Sequence, residues 1–360
     1  VQTCALPIYL HKENIDNLRK LFIGLDKKVN VDGKGRLIPI NFDNAATTPP
    51  FKRVMKIILE TSEYYGSIAR GDGKKSQYCS DLYESSRKYI LEYFNAPEDI
   101  YTAIFVENTT DGLNKLSNIL IENKDDIVIT TRMEHHSNDL PWRNKCNLKH
   151  VEVDKDGRII VEEIEMLLEK YQERVKYVTV TGASNVTGYV NDIRRIARAA
   201  HKYGAKIIVD GAQLIPHKKI SMTQDDINEN IDFLVFSGHK VYAPFGSGVI
   251  IGLREVFNER EPASKGGGTV QIVLDDRQLW LDTPERNEAG TPNLFGAVAI
   301  AEALREMDKI GFETIESNEK ELLSYLVKEL KQFEKVILYG DNENINDRLG
   351  ILVFNIDGMT

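Results

Sequence analysis

Residues 206–213 read KIIVDGAQ and residues 233–240 read FLVFSGHK. In each, a short β-rich apolar run gives way at once to small and polar residues. Apolar runs without polar alternation fit strands covered on both faces, as in a parallel sheet packed between helices. Working outward from Lys206–Asp210 and Phe233–Ser237, further strands are expected at Thr102–Val106, Ile127–Thr130, His150–Val153, Tyr177–Thr181 and Gly248–Ile251. Helical periodicity lies between them at Asp111–Glu122, Val161–Gln172 and Ile193–Tyr203. Strands alternating with helices read as an α/β fold with a mostly parallel sheet. After Thr291 the character changes. Leu294–Ile310 is expected to be an amphipathic helix stopped by Gly311, followed by a helix over Ser317–Phe333 and strands at Val336–Tyr339 and Gly350–Asn355. That order suits a smaller α+β domain.

The bulk properties exclude several classes. The chain has 360 residues and a formal net charge of −9, which argues against a general nucleic-acid binder. No apolar run approaches the roughly 20 residues of a membrane span. The three cysteines, Cys4, Cys79 and Cys146, suggest neither a disulfide framework nor a CxxC metal site, so a cytoplasmic location is expected. Val1–Ile8 (VQTCALPI) lacks the charged start and long apolar core of a signal peptide. It is expected to be a non-native leader, the alternative being a short native tail, and Cys4 carries no functional weight under either reading.

In open α/β sheets, ligands bind at the carboxyl ends of the strands, and the polar residues of this chain cluster there. Thr109 and Thr110 open a helix after Val106, where hydroxyls and free N–H groups suit a phosphate and equally an ordinary cap. Glu134-His135-His136 follows another strand. Adjacent histidines point in different directions and no third ligand lies at metal-site spacing, so no metal is expected. Asn185 follows Tyr177–Thr181 and could simply make a turn. Asp210, near the end of a buried strand, needs a cationic or N–H partner, because burying an unpaired carboxylate is costly. A protonated pyridine nitrogen would serve, and so would the N–H groups of the next turn. Lys240 follows Ser237-Gly238-His239 at a strand end, and the sequence VYAPFGSG after it speaks against free exposure. A lysine so placed suits Schiff-base chemistry if its amine can lose its proton.

Seven stretches occur together and in order: NFDNAATTPP (41–50), ENTTDGLN, MEHHSND, SNVTG, VDGAQ, FSGHKVYAPFGSG and EAGTPN. The set resembles the class V aminotransferases, pyridoxal-5′-phosphate (PLP) enzymes, and most of all their cysteine desulfurase and selenocysteine lyase branch. The resemblance covers roughly residues 35 to 310. It implies a type I PLP-dependent transferase fold, with a cofactor-binding large domain over 41–293 and a partial α+β small domain over 294–360. Residues 9–40 would be an N-terminal segment packing with the small domain.

The resemblance also implies roles. Lys240 corresponds to the Schiff-base lysine, His135 to the histidine stacked on the pyridine ring, and Asp210 to the carboxylate that keeps the ring nitrogen protonated. Asn185 and Gln213 match residues near the 3′-oxygen. Thr109, Thr110, Ser237 and His239 match the phosphate cradle, and Thr291 a phosphate contact supplied by the second subunit of a homodimer. The implied activity is desulfuration of L-cysteine to L-alanine and a persulfide, with a sulfur-acceptor protein as a further partner. The alternatives are another class V reaction (aminotransferase, epimerase or selenocysteine lyase) or a non-catalytic PLP-fold subunit or inactive fragment. The sequence departs from the pattern twice. Related desulfurases often read His-Arg-Gly where this chain has Ala69-Arg70-Gly71. The family's catalytic cysteine and substrate-carboxylate arginine belong to a part of the small domain expected beyond Thr360. Cys79 and Cys146 match neither position and are expected to be structural.

Overall fold

The computed structural model describes residues 18–68 and 71–359. The leader Val1–Ile8 with Cys4, the residues up to 17, and Ala69-Arg70 lie outside the described residues. Seven strands form the central sheet: β1 (Tyr101–Val106), β2 (Ile127–Thr131), β3 (Asn147–Val151), β4 (Val175–Thr181), β5 (Lys206–Asp210), β6 (Phe233–Ser237) and β7 (Gly248–Leu253). Their order is β1-β7-β6-β5-β4-β2-β3. From β6 to β3 all neighbours are parallel, and β7 runs antiparallel to both β6 and β1. The mostly parallel α/β architecture read from the sequence is the one observed.

The sheet is buried because its strands are apolar on both sides. Val209 and Leu234 face one core cluster, while Ile208 and Val235 face the other. On the second face lies α3 (Thr109–Leu120), through Leu113, Leu116 and Leu120. It approaches closely because Gly112 has no side chain: a Cβ there would sit 2.6 Å from Val235 Cγ1. On the first face, α6 (Leu294–Ile310) packs against α1 (Lys52–Ser62), α2 (Lys74–Tyr93), β7 and the turn Gly238–Lys240. The crossovers α4 (Val161–Tyr171) and α5 (Ile193–Lys202) complete the layering. Among the described residues, no helix is long and apolar enough to cross a membrane.

Two expected strands are displaced. The strand expected at His150–Val153 is β3, Asn147–Val151, and Val153 instead bridges to Ile159. As the edge strand, β3 is only half-buried, so its pattern marks its limits poorly. The strand expected at Gly350–Asn355 reduces to Phe354–Ile356, antiparallel to Val336–Leu338. Its start serves elsewhere: Ile351 O accepts Arg348 Nη2 at 3.0 Å, and just before it Leu349 N–H donates to Gly188 O at 2.8 Å. The helix expected at Ser317–Phe333 starts earlier, as α7 (Phe312–Leu330), directly after Gly311 at φ +83°. Near the N-terminus, Phe22 stacks on Phe51 at 4.8 Å and on Tyr242 at 5.2 Å. Ile23 N–H donates to Pro50 O and Lys52 N–H to Leu21 O, so this segment lies against the start of α1.

Candidate active site

Five strand ends converge on one cavity of about 590 Å³. β1 leads into Asn108, whose side chain accepts from Asp111 N–H and caps α3. The cap places Thr109 and Thr110 at the cavity wall. Thr109 donates its N–H to Ser237 Oγ at 2.8 Å, and the two hydroxyls lie 2.7 Å apart. Thr110 Oγ1 lies 2.7 Å from Ser137 Oγ, which is 2.9 Å from His135 Nδ1. A helix start lined by this belt of hydroxyls suits an anion.

β6 ends at Ser237, and Gly238–Lys240 turns the chain into the cavity. The turn requires its glycine, since a Cβ on Gly238 would lie 2.8 Å from Ser247 Oγ and 2.9 Å from Ala243 O. The stretch 41–50 secures it from outside. Thr48 N–H and Oγ1 both donate to His239 O, at 3.0 and 2.9 Å, and Thr48 Oγ1 accepts from Tyr242 N–H at 2.9 Å. Tyr242 itself takes φ +63°, a left-handed conformation that these bonds hold in place. His239 Nδ1 lies 3.1 Å from Thr47 Oγ1.

β5 ends at Asp210, which is 2% exposed. One carboxylate oxygen accepts Ala212 N–H at 2.9 Å. Burial pushes the Asp210 carboxyl up, while Ala212 N–H, Lys240 and His135 oppose that rise. Burial pushes the Lys240 amine down, with Asp210 opposing, and so favours the neutral nucleophilic form. His135 is also held below the ordinary histidine value, first by desolvation. Ser137 N–H donates to His135 Nδ1 at 3.1 Å, so that nitrogen is an acceptor and the neutral ring carries its proton on Nε2. Gln213 Nε2 donates to Ala45 O at 3.0 Å, leaving Oε1 buried without a partner at the cavity wall. Asn185 lines the same cavity from the turn after β4.

Lys240, His135, Asp210, Thr109, Thr110, Asn185, Gln213, Ser237 and His239 therefore line one cavity. Thr291 does not join them. It is exposed and borders an adjoining cavity of about 440 Å³ with Glu288 and Lys115. His135 and His136 rings stand 6.1 Å apart at 45°, and among the described residues no His/Cys/Asp/Glu group gathers to hold a metal ion. Cys79 is fully buried in α2. Cys146 is half-buried, donates to Trp142 O, and has its thiol pushed up to about 11 by burial. Neither lines the cavity. The sequence reading missed Ser137, Thr47 and Thr48. Ser137 lies two residues beyond His135, a signal that was available. The roles of Thr47 and Thr48 depend on contacts to residues more than 190 positions away.

The cavity fits PLP on its own chemistry. It offers an amine of lowered pKa, a buried carboxylate facing it, a neutral imidazole, an orphaned amide oxygen and a hydroxyl-lined helix start. Fold and site together define an enzyme of the PLP-dependent type I class. The aminotransferase class-V family matches residues 40–360, and the chain belongs to that family, in its cysteine desulfurase branch. A probable cysteine desulfurase of Staphylococcus aureus (strain Mu50 / ATCC 700699) is 35% identical over 358 residues, covering 96% of this chain and 82% of that protein. A probable cysteine desulfurase of Borreliella burgdorferi is 34% identical over 360 residues, with 96% and 82% covered. The solved apo cysteine desulfurase of Thermococcus onnurineus NA1 superposes with a TM-score of 0.80 at 33% identity, over 88% of this chain and 79% of that one.

Proposed function

We propose that the chain is a cysteine desulfurase that binds PLP through Lys240 and removes sulfur from L-cysteine, leaving L-alanine. The observation that carries this reading is the single cavity shared by Lys240, Asp210 and His135, with the Lys240 amine held below its ordinary pKa. When bound, PLP supplies an electron sink for bonds at the substrate Cα. Lys240 would hold the cofactor, and its amine would move the proton at the substrate Cα. Asp210 would pair the ring nitrogen, and the His135 ring would pack on the cofactor. Thr109, Thr110, Ser237 and His239 take the phosphate, and Asn185 and Gln213 take the 3′-oxygen. Thr291 completes the phosphate site of a second copy in a homodimer.

Cys79 and Cys146 lie away from the cavity, so the thiol that receives sulfur belongs to neither of them. A sulfur-acceptor protein and a cytoplasmic location belong to the same proposal. So does the division into a large domain over 41–293, a small domain over 294–360, and an N-terminal segment over 9–40 that packs with the small domain. The test is reduction with borohydride after loading with PLP, then digestion and mass spectrometry. The label is expected on Lys240. A label on another lysine, or none with PLP in excess, overturns the assignment.

A further inference from the structure

Glu134, in the run Glu134-His135-His136, is left unused by the proposed chemistry, yet it sits at the centre of a hydrogen-bonded network. Its carboxyl turns inward. Oε1 accepts from Thr131 Oγ1 at 2.7 Å and Oε2 from Asn138 Nδ2 at 2.6 Å. Thr131 ends β2, and its Oγ1 also accepts Met133 N–H at 3.1 Å. Asn138 is fully buried, and its Oδ1 accepts from Thr179 Oγ1 on β4 at 2.6 Å and from Trp142 Nε1 at 3.3 Å. Asn138 N–H donates to His135 O at 2.8 Å. The turn that presents His135 is thus pinned to β2 and β4 through one carboxyl group.

We propose that Glu134 is a positioning residue, which through Thr131 and Asn138 fixes the turn that holds His135 against the cavity. The proposal rests on reading that cavity as the cofactor site. Among the described residues, no ion pair joins Glu134 to a cation. The charged group facing it is a second carboxylate, Asp210 on β5, which itself faces Lys240 and His135. Two neighbouring buried carboxylates do not both ionise readily. Burial pushes Glu134 up to about 8, opposed by Thr131, Asn138 and the Thr181 backbone, and Asp210 adds to the rise. At neutral pH Glu134 is then a neutral acid. Above about pH 8 Glu134 gains its charge.

The amide of Glu134→Gln imitates the neutral acid, whereas Glu134→Ala removes the anchor. The experiment uses the PLP-loaded protein and follows the absorbance of the lysine-bound cofactor from pH 6 to 9, its dissociation constant and the thermal midpoint. Glu134→Ala is expected to shift the absorbance band and weaken PLP binding about tenfold or more. Glu134→Gln is expected to restore both at pH 7 and to lack the spectral change the wild type undergoes near pH 8. If Glu134→Ala does not fold, Thr131→Val, which removes one of the two bonds, is expected to move the band in the same direction by less. A wild-type band and affinity in folded Glu134→Ala would overturn the proposal, as would a Gln variant as impaired as Ala. Failure of the wild type to take PLP on Lys240 would instead defeat the cofactor assignment.

Discussion

Glu288 opens the run EAGTPN that leads to Thr291, and a buried ion pair anchors it. Its Oε1 accepts Arg87 Nη1 at 2.9 Å and Phe105 N–H at 2.7 Å, and its Oε2 accepts Arg87 Nη2 at 3.0 Å and Tyr83 Oη at 2.8 Å. The two charged side chains are 7% and 9% exposed. Glu288→Gln keeps the volume and one acceptor but strands the guanidinium and turns an amide donor toward other donors. Breaking a buried pair by removing one partner costs about 3–5 kcal/mol. Arg87 keeps a second carboxylate, Glu84, whose side chain is 57% exposed and partly compensates. The lower half of that range, about 3–4 kcal/mol, is therefore expected. Unfolding entropy near 2.1 cal/mol/K per residue over roughly 340 residues gives about 0.7 kcal/mol/K, so the thermal midpoint should fall by about 4–6 °C. Adding Arg87→Met to Glu288→Gln removes the stranded charge and should cost less than about 1 kcal/mol more. Scanning calorimetry of Glu288→Gln, Arg87→Met and the double variant is the assay. A single-variant loss under about 1 kcal/mol, or strictly additive losses in the double variant, would refute the reasoning.

Two further outcomes follow from the same geometry. His201 Nδ1 faces Asn228 O and Nε2 faces Asp232 Oδ2, both at 2.8 Å, and the Asp232 hydrogen bond leads the causes that raise its pKa. A raised folded-state pKa stabilises fully below the unfolded value of about 6.5 and is lost as pH rises through the folded value. The urea midpoint should drop above that value by an amount on the order of 1 kcal/mol, a step that His201→Gln lacks; an identical pH profile in both proteins would contradict this. Cys79 is fully buried, and the Cys146 thiol is pushed up to about 11, so iodoacetamide at pH 7.5 should label neither quickly until denaturant is added; rapid labelling of Cys146, mapped by mass spectrometry, would contradict its structural role.

The legible parts of the fold are those fixed by local pattern. Lys206–Asp210 and Phe233–Ser237 were readable to the residue because a strand buried on both faces is an unbroken apolar run between polar ends. The edge strand β3 was misplaced because half-burial leaves no such contrast. The cavity-lining residues were legible for a related reason: strand ends in an α/β sheet put their polar followers in one place whatever the loops do. The supports of those residues were not legible. Gln213 is held by Ala45 across 168 positions, and the Lys240 turn by Thr48 across 191, and neither partner has a local signature.

The position of Asn185 illustrates how far such support reaches. Its turn begins at the end of β4, where Ser184 Oγ accepts Val186 and Thr187 N–H groups, each at 3.1 Å. From there the chain is held by residues near its C-terminus. Arg348 Nε donates to Thr187 O at 2.9 Å, and Val190 N–H donates to Asp347 O at 2.8 Å. Gly188 takes φ +76°, and a Cβ there would lie 3.1 Å from Ile351 O, so this crossing needs a glycine. Tyr189 Oη accepts Asp341 N–H at 2.6 Å, and Arg158 lies over its ring at 4.3 Å while bonding Asp347. Arg348 is 3% exposed and bonds backbone and amide oxygens rather than a carboxylate. Its donors therefore tie together two stretches of chain, because releasing these half-buried acceptors would leave a buried guanidinium without partners. The strand expected at Gly350–Asn355 is shortened for the same reason. Ile351, one of its leading residues, packs on Gly188 and accepts Arg348 Nη2 at 3.0 Å through its backbone oxygen, so a packing demand of the Gly188 turn overrides local strand propensity more than 160 positions away.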